Sequence, residues 1–196
     1  MNSFNRTLCM AMLASVSCAA SAAPVTYELD PAHTFPSFEA DHMGLSFWRG
    51  KFNRTTGTLV LDKAASSGSV MVSIDMDSVD FGLESMHEQA VSPAFFDVAK
   101  YPQASYKGKL TDFVDGVPTR VTGELTLQGV TRPVELAIHR FKCIPHPMLK
   151  RELCGADASA SFRRDAFGLT AGKDYGFSMD VGLRIQMEAV QGGMNP

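Results

Sequence analysis

Apolar and polar residues alternate along much of the chain, most clearly in the segment GELTLQGVTRPVELAIHRF at residues 123–141. Leu125 and Leu127 share one side of this segment, and after a turn at residues 129–133 the pattern resumes at Val134, Leu136 and Ile138. A period of two is the pattern of a β-strand with one apolar and one solvated face. The segment therefore predicts a β-hairpin whose apolar face covers either a protein core or a space for something else.

Eight segments follow this pattern, and the last of them has the cleaner alternation. Long strands that are apolar on one side only are typical of an antiparallel sheet with one wet face. The predicted strands span residues 34–43, 47–62, 68–79, 102–114, 117–129, 132–142, 155–164 and 176–189.

The stretch between Phe81 and Tyr101 departs from the alternation. Residues 84–91 have no strand pattern, and Ser92-Pro93 has the composition of a helix N-cap followed by proline at the first helical position. The sequence therefore predicts one or two short helices between the third and fourth strands.

Eight successive antiparallel strands avoid unpaired edges by closing into an up-and-down barrel, so the predicted fold class is all-β. A barrel of this size is either filled by its own side chains or holds one small ligand. Small residues at inward positions, namely Ala40, Gly50, Gly123, Ala158 and Ala160, favour an unfilled apolar cavity. A barrel plugged by its own aromatic side chains is the alternative.

The first 22 residues have the order of a secretory signal: Arg6, an apolar run at residues 8–16, and small residues before a cleavage site after Ala22. The apolar run is shorter than the about 20 residues that cross a bilayer. Export to the periplasm is therefore predicted, with residues 23–196 forming a single domain. Lipid attachment at Cys18 is a weaker alternative, because no leucine precedes it at the expected place.

Charge and hydropathy exclude two classes of function. The formal net charge of −3 becomes −4 once Arg6 is removed with the signal, and a binder of nucleic acid needs a basic surface. No later apolar run is long enough to span a membrane, so stable membrane insertion is not expected.

Cleavage would leave Cys143 and Cys154 as the two cysteines of the exported chain. They flank a short proline-containing loop, and an oxidising compartment favours a disulfide between them. A zinc site that adds His139 or His146 is the alternative, although the cysteines and histidines lack the usual metal-ligand spacing.

Several motifs resemble those of the YceI-like proteins, a periplasmic, lipocalin-like family that binds polyisoprenoids. GELTLQGVTRPVEL resembles the family signature G-x-L-T-L-x-G-V-T-[KR]-P-V, and FRRDAFG resembles its R-x-[DE]-[FW]-G turn. SVDFG and SPAFFDVAKYPQASY are similar to its helical segment, in which Met86–Gln89 replaces the usual Arg-Asp-x-His run. Its opening motif is matched by His33, Thr34, Phe38, His42, Ser46, Gly50 and Phe52.

The resemblance implies a lipocalin-like barrel that binds an amphiphilic lipid by its isoprenoid or acyl tail and transports it, without catalysis. No cofactor is expected apart from a bound polyisoprenoid or other lipid, and members of the family are commonly homodimers. The residues expected to line the ligand site are Phe38, His42, Trp48, Phe52, Phe81, Phe95, Phe96, Tyr106, Leu125, Phe162, Phe177, Met179 and Leu183.

Other functions stay open at this point. The same barrel suits a secreted scavenger of lipophilic compounds such as antibiotics, acting in stress protection. A small hydrolase that uses His42 and Ser46 is a weaker hypothesis, because the sequence places no carboxylate to orient the histidine. The Arg163-Arg164-Asp165 turn is either a clamp for an anionic head group or a solvated ion pair.

Overall fold

The computed structural model describes residues 23–192, so the predicted signal peptide lies outside the described residues. This part contains one α-helix, α1 (Glu84–Val91), and 3₁₀ helices at Met76–Ser78, Arg164–Phe167 and Lys173–Tyr175. Its strands are β1 (Val25–Leu29), β2 (Phe35–His42), β3 (Ser46–Phe52), β4 (Thr55–Asp62), β5 (Ser67–Asp75), β6 (Val79–Asp80), β7 (Gln103–Val114), β8 (Val117–Leu127), β9 (Val130–Pro133), β10 (Leu136–Pro145), β11 (Glu152–Arg163) and β12 (Asp180–Gln191).

Eight strands close into a ring in the order β1, β4, β5, β7, β8, β10, β11 and β12, because β12 also pairs with β1. Every pairing in the ring is antiparallel. β2 continues the line of β1 along β12, and β3 pairs with β2. The predicted eight-stranded up-and-down barrel is confirmed.

The strand predicted at residues 47–62 is two strands, because Asn53 and Arg54 between them leave the strand pairing. Both residues donate their backbone N–H groups to Ser78. The N–H of Asn53 donates to the Ser78 carbonyl at 3.0 Å, and the N–H of Arg54 donates to the Ser78 hydroxyl at 3.0 Å. β3 therefore pairs with the short β6, whereas β4 turns to β5.

β1 is missing from the eight predicted strands, although it closes the barrel. Its alternation is short but present. Tyr27 and Leu29 are buried on one face, and Thr26 and Glu28 are exposed on the other. Five residues are too few for the period to stand out in a sequence. The last predicted strand is also too long, because β12 begins only at Asp180.

Helix α1 lies between β6 and β7 and confirms the predicted position of the helical insert. Ser92 ends this helix and does not begin another one. Its hydroxyl donates to the carbonyl of Gln89 at 2.7 Å, and its backbone N–H turns to the same carbonyl. The chain then folds back on α1, where the N–H of Phe96 donates to the carbonyl of Ala90 at 2.9 Å.

Cys143 and Cys154 face each other across β10 and β11 and are joined by a disulfide. The predicted bond is thus present, and Cys154 is fully buried in the core. Because each sulfur is bonded to the other, the alternative zinc site has no thiolate ligands.

We expect the double variant Cys143→Ser/Cys154→Ser to lower the free energy of unfolding by roughly 2–3 kcal/mol, since the crosslink restricts the unfolded chain. Guanidinium unfolding with and without a reductant measures the difference. Reductant should bring the wild-type midpoint down to that of the variant and leave the variant unchanged. An unchanged wild-type midpoint after confirmed thiol release would contradict the prediction.

Candidate functional site

The barrel contains an apolar cavity of about 200 Å³. Inward side chains form its wall, for example Val70 and Val72 on β5 and Ile185 and Met187 on β12. Members of each pair lie two residues apart, as the alternation of side chains across a strand requires. A wall of this kind favours an apolar ligand, because a polar or charged one would lose its hydration without replacement partners.

Eight of the residues expected to line the ligand site lie on the wall of this cavity. Phe95 and Phe96 reach it from the loop after α1, and the others come from the barrel strands and from β2 and β3. They are Phe38, Phe52, Phe95, Phe96, Tyr106, Leu125, Phe162 and Leu183. Their contact with a ligand stays a prediction.

The other five expected residues lie off the cavity wall: His42, Trp48, Phe81, Phe177 and Met179. The imidazole of His42 stacks on Trp48, with 4.4 Å between ring centroids, and meets the edge of Phe177 at 4.8 Å. β2 extends past the start of β12, where the last register pair is Val181 with Ala40. Inward side chains beyond that point therefore pack on one another rather than over the cavity.

Phe81 and Met179 are close to the wall without forming it. The ring of Phe81 packs edge-on against Phe38, with 5.5 Å between centroids. Met179 is buried, and its carbonyl accepts a hydrogen bond from the N–H of Arg164 at 2.8 Å.

The expectation that inward glycines leave empty space is wrong, because aromatic rings from other positions occupy that space. A Cβ at Gly123 would lie 2.5 Å from the hydroxyl oxygen of Tyr106, and one at Gly50 would lie 2.7 Å from Cζ of Phe38. The alanine at position 158, by contrast, does line the cavity. The barrel is therefore partly filled by its own aromatics and partly open.

Tyr106 explains why glycine is needed at position 123. Its ring lies over Gly123, and its hydroxyl donates to the carbonyl of Val134 at 2.8 Å. Burial raises the pKa of this phenol, which therefore stays neutral and keeps the hydrogen bond. The glycine of the GELTLQGV motif thus leaves room for the Tyr106 ring, whose hydroxyl ties β7 to Val134, between β9 and β10.

The Arg163-Arg164-Asp165 turn divides into an exposed and a buried part. Asp165 accepts from Arg163 at 2.9 Å and from Lys173 at 3.1 Å, and these two cations lower the pKa of its carboxyl to about 2. This pair matches the solvated ion pair that the sequence left open. Arg164 instead points inward and lines the cavity.

The Arg164 guanidinium is held by backbone carbonyls rather than by an acid. It donates to Leu169 at 3.1 Å, to Ala171 at 2.8 Å and to Ser178 at 3.2 Å. Burial lowers its pKa. These bonds fasten the loop between β11 and β12 to the barrel end, a structural role that the charged sequence did not reveal.

Comparison with known proteins decides the family. A model described as "YceI-like domain" matches residues 27–189. The chain belongs to the YceI-like family. The resemblance seen in the sequence is confirmed.

The relatives cover nearly the whole chain. A UPF0312 protein of Pectobacterium atrosepticum is 33% identical over 184 residues, which are 93% of each chain. Protein YceI of Salmonella arizonae is 33% identical over 175 residues, covering 87% of this chain and 90% of the relative.

Solved structures share the YceI-like fold at low sequence identity. BcnA of Burkholderia cenocepacia aligns with a TM-score of 0.65 at 22% identity, over 82% of this chain and 98% of that one. A polyisoprenoid-binding domain from Saccharophagus degradans, implicated in plant cell wall breakdown, aligns with a TM-score of 0.61 at 18% identity, over 85% and 99%.

Helix α1 holds Met86–Gln89, the run that the sequence analysis set apart from the motif of the resemblance. None of these four residues lies on the cavity wall. His87 turns to the barrel end, where its Nδ1 lies 3.0 Å from the carbonyl of Val79 and its Nε2 lies 3.9 Å from Asp77. These residues therefore lie at the barrel end and off the cavity wall.

His33 and Thr34 of the opening motif hold the join between β1 and β2. Nδ1 of His33 lies 2.6 Å from the buried carboxylate of Asp30, and the Thr34 hydroxyl donates to the carbonyl of Glu188 at 3.1 Å. Asp30, His33 and Glu188 are close enough to surround a metal ion, but these mutual bonds already use the imidazole and the acid. The hydrogen bond to Asp30 raises the pKa of His33.

We expect Gly123→Ala to destabilise the fold by roughly 1–3 kcal/mol, because the added methyl group would overlap Tyr106 and the carbonyl of Lys107. Gly155→Ala is the matched control, since a Cβ there meets its nearest atoms at 3.7 Å. Thermal unfolding of both variants measures the effect. Equal melting temperatures for the two variants would contradict this account of the motif.

We expect His33→Gln to cost more stability at about pH 5.5 than at about pH 8.5. The folded pKa of His33 lies above the unfolded value of about 6.5, so protonated His33 stabilises the fold below that value and loses this effect as pH rises through the folded pKa. Because the imidazole is largely exposed, the difference should be a few tenths of a kcal/mol.

Urea unfolding at both pH values measures this difference. Asp30→Asn is the control, since an uncharged partner should remove the pH-dependent part of the His33→Gln effect. A loss of stability that is the same at both pH values would overturn the assignment.

Proposed function

We propose that this protein is a periplasmic lipid-binding and transport protein that holds an amphiphile by a long isoprenoid or acyl tail inside the barrel. The apolar cavity inside the barrel carries this proposal. Membership of a family with a polyisoprenoid-binding structural relative supports the class of ligand. The periplasmic location rests on the signal pattern of residues 1–22.

The size of the cavity limits how much of a tail it takes up without rearrangement. An engineered cavity of about 150 Å³ binds benzene, so by proportion a cavity of about 200 Å³ holds roughly eight carbon atoms. That is between one and two isoprene units. Burial of this many groups contributes roughly 6 kcal/mol at about 0.8 kcal/mol each. The loss of translational and rotational freedom opposes binding by about 4–15 kcal/mol, so tight binding needs a longer buried tail.

A row of packed aromatic side chains offers additional space for the tail. Phe96 packs against Phe52 at 6.0 Å between centroids, Phe52 against Phe38 at 5.6 Å, and Phe38 against Phe81 outside the cavity wall. Rotation of these side chains would extend the cavity toward α1 without breaking a strand pairing. The longer tail of the proposed ligand follows this path.

Capture of diverse lipophilic compounds is the second candidate function. The observation that favours it is the same apolar wall, which selects for hydrophobicity and sets little constraint on shape. Native mass spectrometry of protein purified from its own periplasm without detergent, followed by extraction, separates the two. One stoichiometric mass with an isoprenoid or acyl tail supports the carrier, whereas affinity for many unrelated compounds supports the scavenger.

We expect Ala158→Phe to abolish stoichiometric lipid, because a phenyl ring adds nearly as many carbons as the cavity holds. Ala137→Phe is the matched control: it adds the same ring to the exposed face of the same β10–β11 pair. Native mass spectrometry of both variants, with thermal unfolding to establish that each is folded, gives the result. Lipid retained by a folded Ala158→Phe variant would place the ligand outside the cavity and refute the proposal.

A further inference from the structure

The turn that joins β2 to β3 carries a cluster of exposed apolar side chains. Met43, Leu45, Phe47 and Trp48 are all exposed within six consecutive residues. Elsewhere in residues 23–192, exposed large apolar side chains occur singly or in pairs along the chain. Single ones are ordinary on a protein surface, whereas a cluster marks a binding surface. Residues 42–48 are called the hairpin tip below.

The turn in the hairpin tip departs from the residues that such turns favour. The N–H of Leu45 donates to the carbonyl of His42 at 3.0 Å, and the two residues between them, Met43 and Gly44, have φ angles of 60° and 74°. Asn-Gly and Asp-Gly are the favoured pairs when both central residues have positive φ. Methionine there combines an unfavourable backbone conformation with an exposed apolar side chain. Departures from local preference of this kind are expected at functional sites.

Apolar side chains surround the hairpin tip on more than one side. Phe47 and Trp48 are neighbours on β3, so their rings lie on opposite faces of the hairpin. Leu45 lies in the turn before them, and 78% of its surface is exposed. A narrow hairpin that is apolar on both faces and at its turn fits insertion into a fluid apolar medium better than packing on a flat protein surface.

The charges of the hairpin balance one another. β2, β3 and their turn contain two acidic and two basic residues, so their formal charge is zero, whereas that of the whole chain is −3. The Asp41 carboxylate accepts the N–H of Gly44 at 2.8 Å, and Arg49 donates to Glu39 at 3.2 Å. A neutral surface with aromatic rings fits the interface of a zwitterionic bilayer, where such rings are enriched.

The hairpin tip is continuous with the wall of the cavity. Phe38 and Phe52 line the cavity, and the same faces of β2 and β3 lead from them to His42 and Trp48. Between these two pairs the inward positions are Ala40 and Gly50. A lipid tail that enters from the tip therefore meets no carboxylate, ammonium or guanidinium group on this face before it reaches the cavity wall.

Resting on the proposed carrier function, we propose that the hairpin tip is a docking surface for a zwitterionic lipid bilayer, into which it inserts reversibly. Docking places this end of the barrel on the membrane that supplies or receives the tail. A second copy of the chain fits the tip less well, because a stable protein interface takes about 20–30 residues from each partner.

Trp48 makes the docking directly measurable, since it is the only tryptophan in the sequence. The purified protein is titrated with phosphatidylcholine vesicles while tryptophan emission is recorded. We expect the emission to shift to shorter wavelength and to be quenched by brominated acyl chains. Co-sedimentation with the same vesicles gives the apparent Kd.

We expect Leu45→Asp to raise this Kd by about tenfold or more, the effect of losing one buried leucine side chain. Met148→Asp is the matched control and should leave the Kd unchanged. Met148 is similarly exposed, at 82%, but it lies in the turn between β10 and β11, beyond the last residues of β12, whereas the tip lies beyond the first. Phe47→Ser should weaken binding in the same direction as Leu45→Asp, and thermal unfolding establishes that each variant is folded.

Salt separates insertion from charge attraction. Raising the salt concentration from about 0.1 M to about 1 M should not weaken vesicle binding, because screening acts on exposed charges and not on apolar burial. Binding that disappears at high salt would overturn the proposal. So would an equal loss in Leu45→Asp and Met148→Asp, or a wild type whose emission ignores vesicles. An emission shift that follows protein concentration without vesicles, together with a dimer mass, would assign the tip to a second copy and also overturn it.

Native mass spectrometry keeps the two proposals separate. A wild type that carries stoichiometric lipid but does not bind vesicles would overturn the docking surface and leave the carrier function intact. A wild type that binds vesicles through the tip but never holds lipid would overturn the carrier function and leave the docking surface.

Discussion

Closure of the barrel depends on the five residues of β1, which pair with β4 on one side and β12 on the other. Without them both strands would present open rows of N–H and C=O groups, and the apolar face would lie on an open sheet. Two hydrogen bonds hold the segment that directly follows β1. The Asp30 carboxylate bonds to His33, and the Thr34 hydroxyl donates to the carbonyl of Glu188 on β12. The cavity inside the barrel is therefore a consequence of one short strand and its anchored end.

Backbone carbonyls accept the hydrogen bonds of the buried Arg164 and Tyr106 side chains. The buried Arg164 fastens the loop before β12, and Tyr106 ties its strand to Val134 through the space left by Gly123. These bonds satisfy polar groups without placing a free charge on the cavity wall. The surface of the cavity consequently stays apolar.

The site was predictable where it depends on strand geometry and unpredictable where strands end. Leu125 and Leu183 lie on the cavity wall as their alternation predicts. His42 and Trp48 follow the same alternation but lie where β2 and β3 run past the ring, so they stack on each other. Periodicity tells which face a side chain takes and not whether the neighbouring strand is still present opposite it.

The sequence by itself determined the strand-rich fold class, the helical insert, the disulfide partners and the family, because each depends on local periodicity, spacing or motif. Only the tertiary structure decided how much of the interior is empty. That volume depends on which side chains reach across from other strands, as Tyr106 does over Gly123 and Phe38 over Gly50.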